Sequence, residues 1–264
     1  LRAQGIVCAS CHVREHQRFG PPRRAELPPL EEPLPHGGFE VRTEFQEARF
    51  CATCHQFWND AGIEGKPIQN TFVEWRTSRH AEEGRTCQSC HMPDRKHLWR
   101  GIHDAEMVRG AVDVELAEPA LREARVRSAL VVHNRGVGHA FPTYVTPRVF
   151  LAVWQEAEEG VAIEGTRVEA TVGREVDFST WTEGFDTRIL PDQSMTLDYD
   201  RERAPGARAL VARVTVDPDH HYRGLFASLR NSYDDPEARE MLEEAYRRTT
   251  SSAFVLEEIR HPLP

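Results

Sequence analysis

The chain has 264 residues, which is enough for one or two domains. Its formal net charge of −9 argues against nucleic acid or an anionic membrane surface as a partner. An acidic surface suits encounters with basic patches on other proteins, although the same charge would also serve simply to keep the chain in solution. The longest apolar runs, such as VFLAVW at residues 149–154, are too short to span a bilayer.

All six cysteines fall into C-x-x-C pairs, and a histidine follows each pair at once: CASCH (8–12), CATCH (51–55) and CQSCH (87–91). With thirteen histidines in the chain, three such coincidences would arise by accident about once in ten thousand trials. C-x-x-C-H is the attachment signature of a c-type haem, because the two thiols add to the haem vinyl groups and the adjacent imidazole is placed to bind the iron.

The pattern therefore predicts three covalently bound haem c groups. A structural zinc site takes four ligands, and three cysteine pairs do not divide into fours. Zinc also gives no reason for a histidine directly after each second cysteine, and this use of the thiols leaves none for a disulfide. The predicted thioether residues are Cys8, Cys11, Cys51, Cys54, Cys87 and Cys90, and the predicted proximal iron ligands are His12, His55 and His91.

Covalent haem attachment is completed outside the cytoplasmic membrane, so the predicted location is the periplasm or the cell exterior. The chain begins at Leu1 rather than Met, and no basic-then-apolar leader precedes the first motif. We interpret it as a mature or trimmed chain from which a signal peptide has been removed.

All three motifs lie before residue 92, which predicts a trihaem domain at residues 1–110 and a second domain at residues 111–264. The segment GPPRRAELPPLEEPLPHGG (20–38) has six prolines and is unsuited to a helix or a central strand. We expect irregular chain to wrap the haems, which would serve as the core. Short helices are predicted around each attachment site and over residues 70–84.

From about Val112 the pattern changes to that of strands. Residues 124–134 alternate, with Val126, Leu130 and Val132 on one face. Further strands are predicted at residues 148–154, 167–178, 194–200 and 207–216, separated by turn residues, and they indicate a β-sandwich. A helix is predicted at residues 234–250 and a closing strand at residues 253–259. The predicted fold class is α+β.

Several strings resemble bacterial multihaem c-type cytochromes, in which a haem-bearing N-terminal part precedes a β-rich domain. They are GIVCASCHVREHQRFGPPRR, PHGGF, RFCATCHQF, NTFVEW, CQSCHMPDRKHLWRGIHD and GVGHAFPTYVTPRV, and they cover most of residues 5–150. The resemblance implies electron transfer, haems held by two histidines each, and a location outside the cytoplasm. It also points to four further histidines as distal iron ligands: His36, His97, His103 and His139.

The length of chain after the nearest motif histidine leads to different expectations for His36 and His97. His36 lies twenty-four residues beyond His12, which is ample chain to pass round a porphyrin, so we predict it as the distal ligand of the first haem. His97 lies six residues after His91, a reach of at most about 20 Å. Returning to the same iron would be strained, so His97 is expected to serve a neighbouring haem or to bond a propionate.

His103 has enough chain to reach either its own haem or another. His139 lies in the loop HNRGVGHAFPT (133–143), where Gly136 and Gly138 permit close approaches and Pro142 fixes the exit. We expect this loop to place His139 on the distal side of the second or third haem. Capping the turn or bonding a propionate is the alternative. Weaker candidates are His80, His16, His220 and His221.

The sequence favours an electron carrier with no catalytic residues, because the spare histidines suffice to saturate three irons. Redox proteins would then be its partners. One alternative is a multihaem reductase or oxidase of a small nitrogen compound with one open haem, although no C-x-x-C-K variant is present. Another is a haem-carrying subunit of a homo-oligomer, an extracellular filament or a larger redox complex.

Overall fold

A computed structural model describes residues 6–28, 31–58 and 62–264. It is α+β, as the sequence predicts, with short helices and very short strands before residue 110 and two antiparallel sheets after it. The first strand of these sheets begins at Val112, where the apolar pattern of the sequence changes. In the described ranges no helix has the length and apolar character needed to cross a membrane.

The helices of the described residues are α1 (Ala9–His12), α2 (Ala48–His55), α3 (Thr71–Arg76), α4 (Arg79–Glu82), α5 (Cys87–His91), α6 (Ala105–Arg109), α7 (His220–Leu229) and α8 (Pro236–Ser251). The strands before residue 110 are β1 (Val13–Arg14), β2 (Gln17–Gly20), β3 (Glu40–Val41), β4 (Gly62–Ile63) and β5 (Lys66–Pro67). Those after it are β6 (Val112–Leu116), β7 (Ala120–Arg122), β8 (Arg125–Asn134), β9 (Arg148–Glu158), β10 (Val161–Ala162), β11 (Val168–Asp177), β12 (Thr182–Asp186), β13 (Ser194–Glu202), β14 (Ala209–Asp217) and β15 (Phe254–Pro262).

The helix predicted over residues 70–84 is two helices, α3 and α4, with a break at Thr77 and Ser78. The hydroxyl of Ser78 donates to the carbonyl of Trp75 at 2.7 Å, and that of Thr77 donates to the carbonyl of Val73 at 3.3 Å. Such side chains offer the backbone an alternative to helix hydrogen bonds. The proline-rich segment has one 3₁₀ turn, Pro35–Gly37, and its residues 29 and 30 lie outside the described residues.

The C-terminal part is the predicted sandwich. The larger sheet has the order β12-β11-β9-β14-β15 with β10 on β9, and the smaller has the order β13-β8-β6 with β7 on β8. Residues from both sheets form one buried core. Val126, Leu130 and Val132 are all buried in it, which confirms the predicted face of β8.

Helix α8 is confirmed, and the Asp235 side chain caps it by accepting a hydrogen bond from the amide of Ala238 at 2.8 Å. Helix α7 is absent from the sequence-based prediction. It packs against α8, and the two lie between β14 and β15 along the chain. Gly224 in the middle of α7 weakens its helical signal.

The two parts of the chain have very unequal apolar cores. In the described residues before 110, the buried apolar side chains are Ala48, Ile63, Ile68 and Val108. Most other buried apolar residues lie in the two sheets. The helices that carry the C-x-x-C-H motifs therefore have little apolar packing from their own part of the chain.

The loop after β8 joins the two parts through close backbone contacts. A Cβ atom placed on Gly136 would lie 2.1 Å from the carbonyl oxygen of Gly110, at the end of α6. One placed on Gly138 would lie 3.0 Å from both Ser78 Oγ and Trp75 Cδ1. The close approaches expected of these two glycines are therefore present, and they bring the loop onto α3, α4 and α6.

We expect Gly136→Ala to lower the free energy of unfolding by about 1–3 kcal/mol, because the added methyl group forces the loop off the end of α6. Chemical denaturation of the purified protein measures the effect. Gly224→Ala is the matched control, since its Cβ meets nothing within 4 Å and alanine favours a helix interior. Equal stability of the two variants would contradict the close contact at Gly136.

Candidate haem-binding site

The three C-x-x-C-H motifs adopt the same local structure. Each ends a short helix, so that His12, His55 and His91 are the last residues of α1, α2 and α5. In a helix, residues three and four positions apart lie on one face, which brings each pair of cysteines and the first cysteine and histidine to one side. All six thiols are free and at least partly accessible.

The second and third motifs are in contact. The thiols of Cys51 and Cys87 are hydrogen-bonded, which raises the pKa of Cys51 and lowers that of Cys87. The side-chain amide of Gln88 donates to the carbonyls of Phe45 and Glu47, at 3.1 and 2.8 Å, and so ties α5 to the start of α2.

The first motif lies close to the second. Burial is the largest cause that raises the pKa of Cys11, and the neighbouring thiols of Cys54 and Cys51 shift it in the same direction. All three motifs therefore converge on one region.

A hydrogen bond at Nδ1 orients each of the three motif histidines. The Nδ1–H groups of His12 and His91 donate to the carbonyls of Phe19 and Arg100, both at 2.8 Å. The Gln69 amide nitrogen lies 3.1 Å from His55 Nδ1, and a half-turn of this amide presents its oxygen instead. A hydrogen bond at Nδ1 leaves Nε2 as the nitrogen that binds a metal.

Two of the candidate distal histidines lie opposite motif histidines. The ring centres of His12 and His97 are 6.1 Å apart, with their planes inclined at 57°. Those of His91 and His139 are 6.3 Å apart, with nearly parallel planes at 13°. The Nδ1–H of His139 donates to the carbonyl of Ala140 at 2.9 Å.

These separations match two imidazoles on opposite sides of one iron. A metal–imidazole bond is about 2 Å long and the nitrogen lies about 1.1 Å from the ring centre, so the two ring centres would be about 6.2 Å apart. Burial lowers the pKa of His139 to about 4, which keeps its imidazole in the neutral form that a metal needs. The residues present therefore fit a c-type haem at the first and third motifs.

The pairing of His97 with His12 has a local cause. Asp94 and Arg95, which lie between His91 and His97, have left-handed backbone angles, with φ of 54° and 60°. The chain bends at these two residues, and six residues suffice to reach the neighbouring motif. The expectation that His97 serves a neighbouring haem rather than its own agrees with this placement.

His36 is not the histidine that the structure places opposite His12. It is exposed and has a left-handed backbone, with φ of 57°, and the imidazole that lies opposite His12 is that of His97. The stiff proline-rich segment does not carry His36 round to that position. The structure favours His97 over His36 at the first motif.

His55 differs from the other two motif histidines, because among the described residues no second histidine ring makes such a contact with it. His80 is buried, and its Nε2 has no hydrogen-bond partner among the described residues. Burial also lowers its pKa. The pKa of His139 is lowered chiefly by burial and further by the nearby His91, His55 and His80, so these imidazoles share one region.

The remaining candidates have other surroundings. The Nε2 of His103 lies 3.1 Å from Asp219 Oδ2, so the nitrogen that an iron would need is engaged. His220 and His221 belong to α7, where His220 pairs with Asp217 at 3.2 Å and His221 packs on Phe178 at 5.5 Å. His16 is exposed.

Neither a protein-family model nor a curated protein sequence matches this chain. Its fold is similar to that of a penta-haem cytochrome c552 from Thermochromatium tepidum, with a TM-score of 0.66 and 15% sequence identity. The similarity covers 94% of this chain and 68% of that one. The chain thus has a fold like that of a multihaem c-type cytochrome, across both its N-terminal and its C-terminal parts.

Proposed function

We propose that this protein transfers electrons through three covalently bound c-type haems outside the cytoplasm. The observation that carries the proposal is the separation of 6.1 and 6.3 Å between imidazoles at the first and third motifs. In this proposal His12 and His97 hold the first iron, and His91 and His139 hold the third.

A bound haem supplies an iron that takes up or releases one electron. The chain would determine how that iron is used, because two imidazoles would hold it and exclude small molecules. Bis-histidine ligation also leaves the reduction potential low compared with histidine–methionine ligation. The backbone carbonyls that accept from Nδ1 keep His12, His91 and His139 in the tautomer that binds through Nε2.

The contact between Cys51 and Cys87 supports transfer between the second and third haems. Haems attached at thiols in contact would lie side by side, and the proximity of Cys11 to Cys54 and Cys51 would bring the first haem near the second. We therefore expect electrons to pass between neighbouring haems within this one chain. Covalent attachment also supports a periplasmic or extracellular location, with redox proteins as donor and acceptor.

For the second haem, with His55 as its proximal ligand, we propose His80 as the distal ligand. Its buried Nε2 lacks a partner among the described residues, and it lies in the same region as His55, His91 and His139. An unpaired buried polar atom is costly unless something binds it.

A reductase or oxidase is the second candidate function, and the surroundings of His55 are what favour it. If no imidazole completes the second iron, that iron is open to a small molecule. Carbon monoxide distinguishes the two functions, because it binds a reduced haem only where an axial position is free.

We expect the purified protein to have a mass excess of three haems and to keep its colour when denatured, because thioether bonds survive unfolding. Mass spectrometry of the denatured protein measures this excess. Replacing both Cys87 and Cys90 by Ala should reduce it to two haems. An excess of two in the unaltered protein would refute one attachment site.

We expect His97→Ala and His139→Ala each to convert one of the three haems from low-spin to high-spin and to raise its potential, with haem content unchanged. Each reduced variant should then bind about one carbon monoxide, since one axial position is vacated. His36→Ala is the control and should leave the spectrum unaltered. The axial assignments fail if His36→Ala alone changes the spin state.

We expect the reduced unaltered protein to bind no carbon monoxide, and His80→Ala to bind about one equivalent. Absorption spectra under carbon monoxide measure the stoichiometry. Rapid binding of one equivalent by the unaltered protein would instead support the reductase, with the open position at the second haem if His80→Ala causes no further uptake.

A further inference from the structure

The peptide group that follows His139 is held from both sides by buried side chains. Its carbonyl, on His139, accepts from the side-chain amide of Asn134 at 2.9 Å. Its N–H, on Ala140, donates to Glu74 Oε2 at 2.9 Å. Asn134 ends β8 and Glu74 lies in α3, so one contact comes from the sandwich and the other from the helices near the motifs.

The next peptide group along the chain limits the orientation of the imidazole. The Nδ1–H of His139 donates to the next carbonyl, that of Ala140, at 2.9 Å. A change in the plane of the peptide between His139 and Ala140 would move this carbonyl. The contacts made by Glu74 and Asn134 therefore act on the direction in which Nε2 of His139 points.

Glu74 is itself fixed in place. Its side chain is 7% exposed, and its Oε1 lies 3.4 Å from a guanidinium nitrogen of Arg188. Arg188 also binds Asp186 through two hydrogen bonds, at 2.8 and 2.9 Å. A buried carboxylate is costly without such partners. Here the partners of the Glu74 carboxyl group are the Ala140 amide and Arg188.

Helix α3 in turn is tied to the second motif. Gln56, which directly follows His55, accepts from the amide of Val73 at 3.1 Å and donates to Asn70 at 3.0 Å. Gln56 is 6% exposed. A continuous set of hydrogen bonds thus runs from the residue after His55, through the start of α3, to the residue after His139.

We propose that Glu74 is a positioning residue, which holds His139 in the orientation that places its imidazole opposite His91. This inference rests on the proposal that His139 is an iron ligand. It adds that the ligand is fixed from the helical part of the chain as well as from the sandwich. Bonds of this kind to a ligand's surroundings commonly determine how firmly the ligand is held.

The test compares Glu74→Ala and Glu74→Gln with His139→Ala and with the unaltered protein. Glu82→Gln is the matched control, because Glu82 is an exposed acid on the adjacent helix α4. The readouts are the spin state of the ferric protein, the carbon monoxide bound on reduction, and the rate at which cyanide enters the ferric protein.

Glu74→Ala should bind about one carbon monoxide and match the spectral change of His139→Ala, because nothing then holds the Ala140 amide. Glu74→Gln should stay low-spin, since its amide oxygen still accepts. Its hydrogen bond is weaker without the charge, so cyanide should enter on the order of tenfold faster than in the unaltered protein. Glu82→Gln should behave as the unaltered protein does.

The proposal is overturned if His139→Ala frees an axial position while Glu74→Ala stays low-spin and Glu74→Gln takes up cyanide at the unaltered rate. If His139→Ala itself changes nothing, the ligand assignment fails rather than the role of Glu74. Arg188 keeps its two hydrogen bonds to Asp186 when Glu74 is replaced. If Glu74→Ala does not fold, the Glu74→Gln rate decides independently, because glutamine keeps an oxygen that accepts from the Ala140 amide.

Discussion

The N-terminal part of the chain has too little apolar side-chain surface to maintain its own fold, and the rest of the architecture depends on this constraint. Burial of apolar surface is the main favourable term in folding. Only four buried apolar side chains precede residue 110 in the described ranges, and the strands there are two to four residues long. Covalently attached haems would provide the missing apolar surface exactly where the three motif helices converge, and the sandwich would provide the rigid support.

The sandwich supports this region through its loop after β8 rather than through a broad apolar interface alone. The fully buried Arg174 adds a second connection, since it pairs with Glu183 within the sandwich at 2.7 Å and also donates to the carbonyl of Pro67 in the N-terminal part. Ion pairs and backbone hydrogen bonds depend strongly on direction, whereas apolar contacts do not. Such contacts would suit a part of the chain that holds imidazoles at fixed positions, as we propose.

Whether a feature of this fold could be predicted from the sequence depends on how far apart in the chain the residues that determine it lie. The buried face of β8 and the helix α8 are encoded in local periodicity and capping, so both were predictable. The C-x-x-C-H motifs are equally local. The break between α3 and α4 depends on the competing hydroxyls of Thr77 and Ser78, which a periodicity argument overlooks.

The partner of each motif histidine depends on contacts between distant segments. The preference for His36 at the first motif rested on the resemblance and on the length of chain, and neither says anything about direction. The left-handed angles at Asp94 and Arg95 decide the direction instead, and neither is a glycine that would have signalled them. The role of Glu74 could not be predicted from the sequence for a similar reason. A single acid in a short helix looks like any solvent-exposed residue until its burial is known.

The placement of His91 and His97 on one short segment has a consequence for the proposed electron transfer. If His91 holds the third iron and His97 the first, the two haems share a tether of six residues that includes Pro93 and two residues with left-handed backbone angles, Asp94 and Arg95. Such a segment has few alternative conformations. A change in position of one haem would then strain the ligand of the other, so the pair is constrained to move as a unit. The distance between the two irons would therefore stay nearly constant during transfer. An electron carrier needs this constancy, whereas a site that must open for a substrate does not need it.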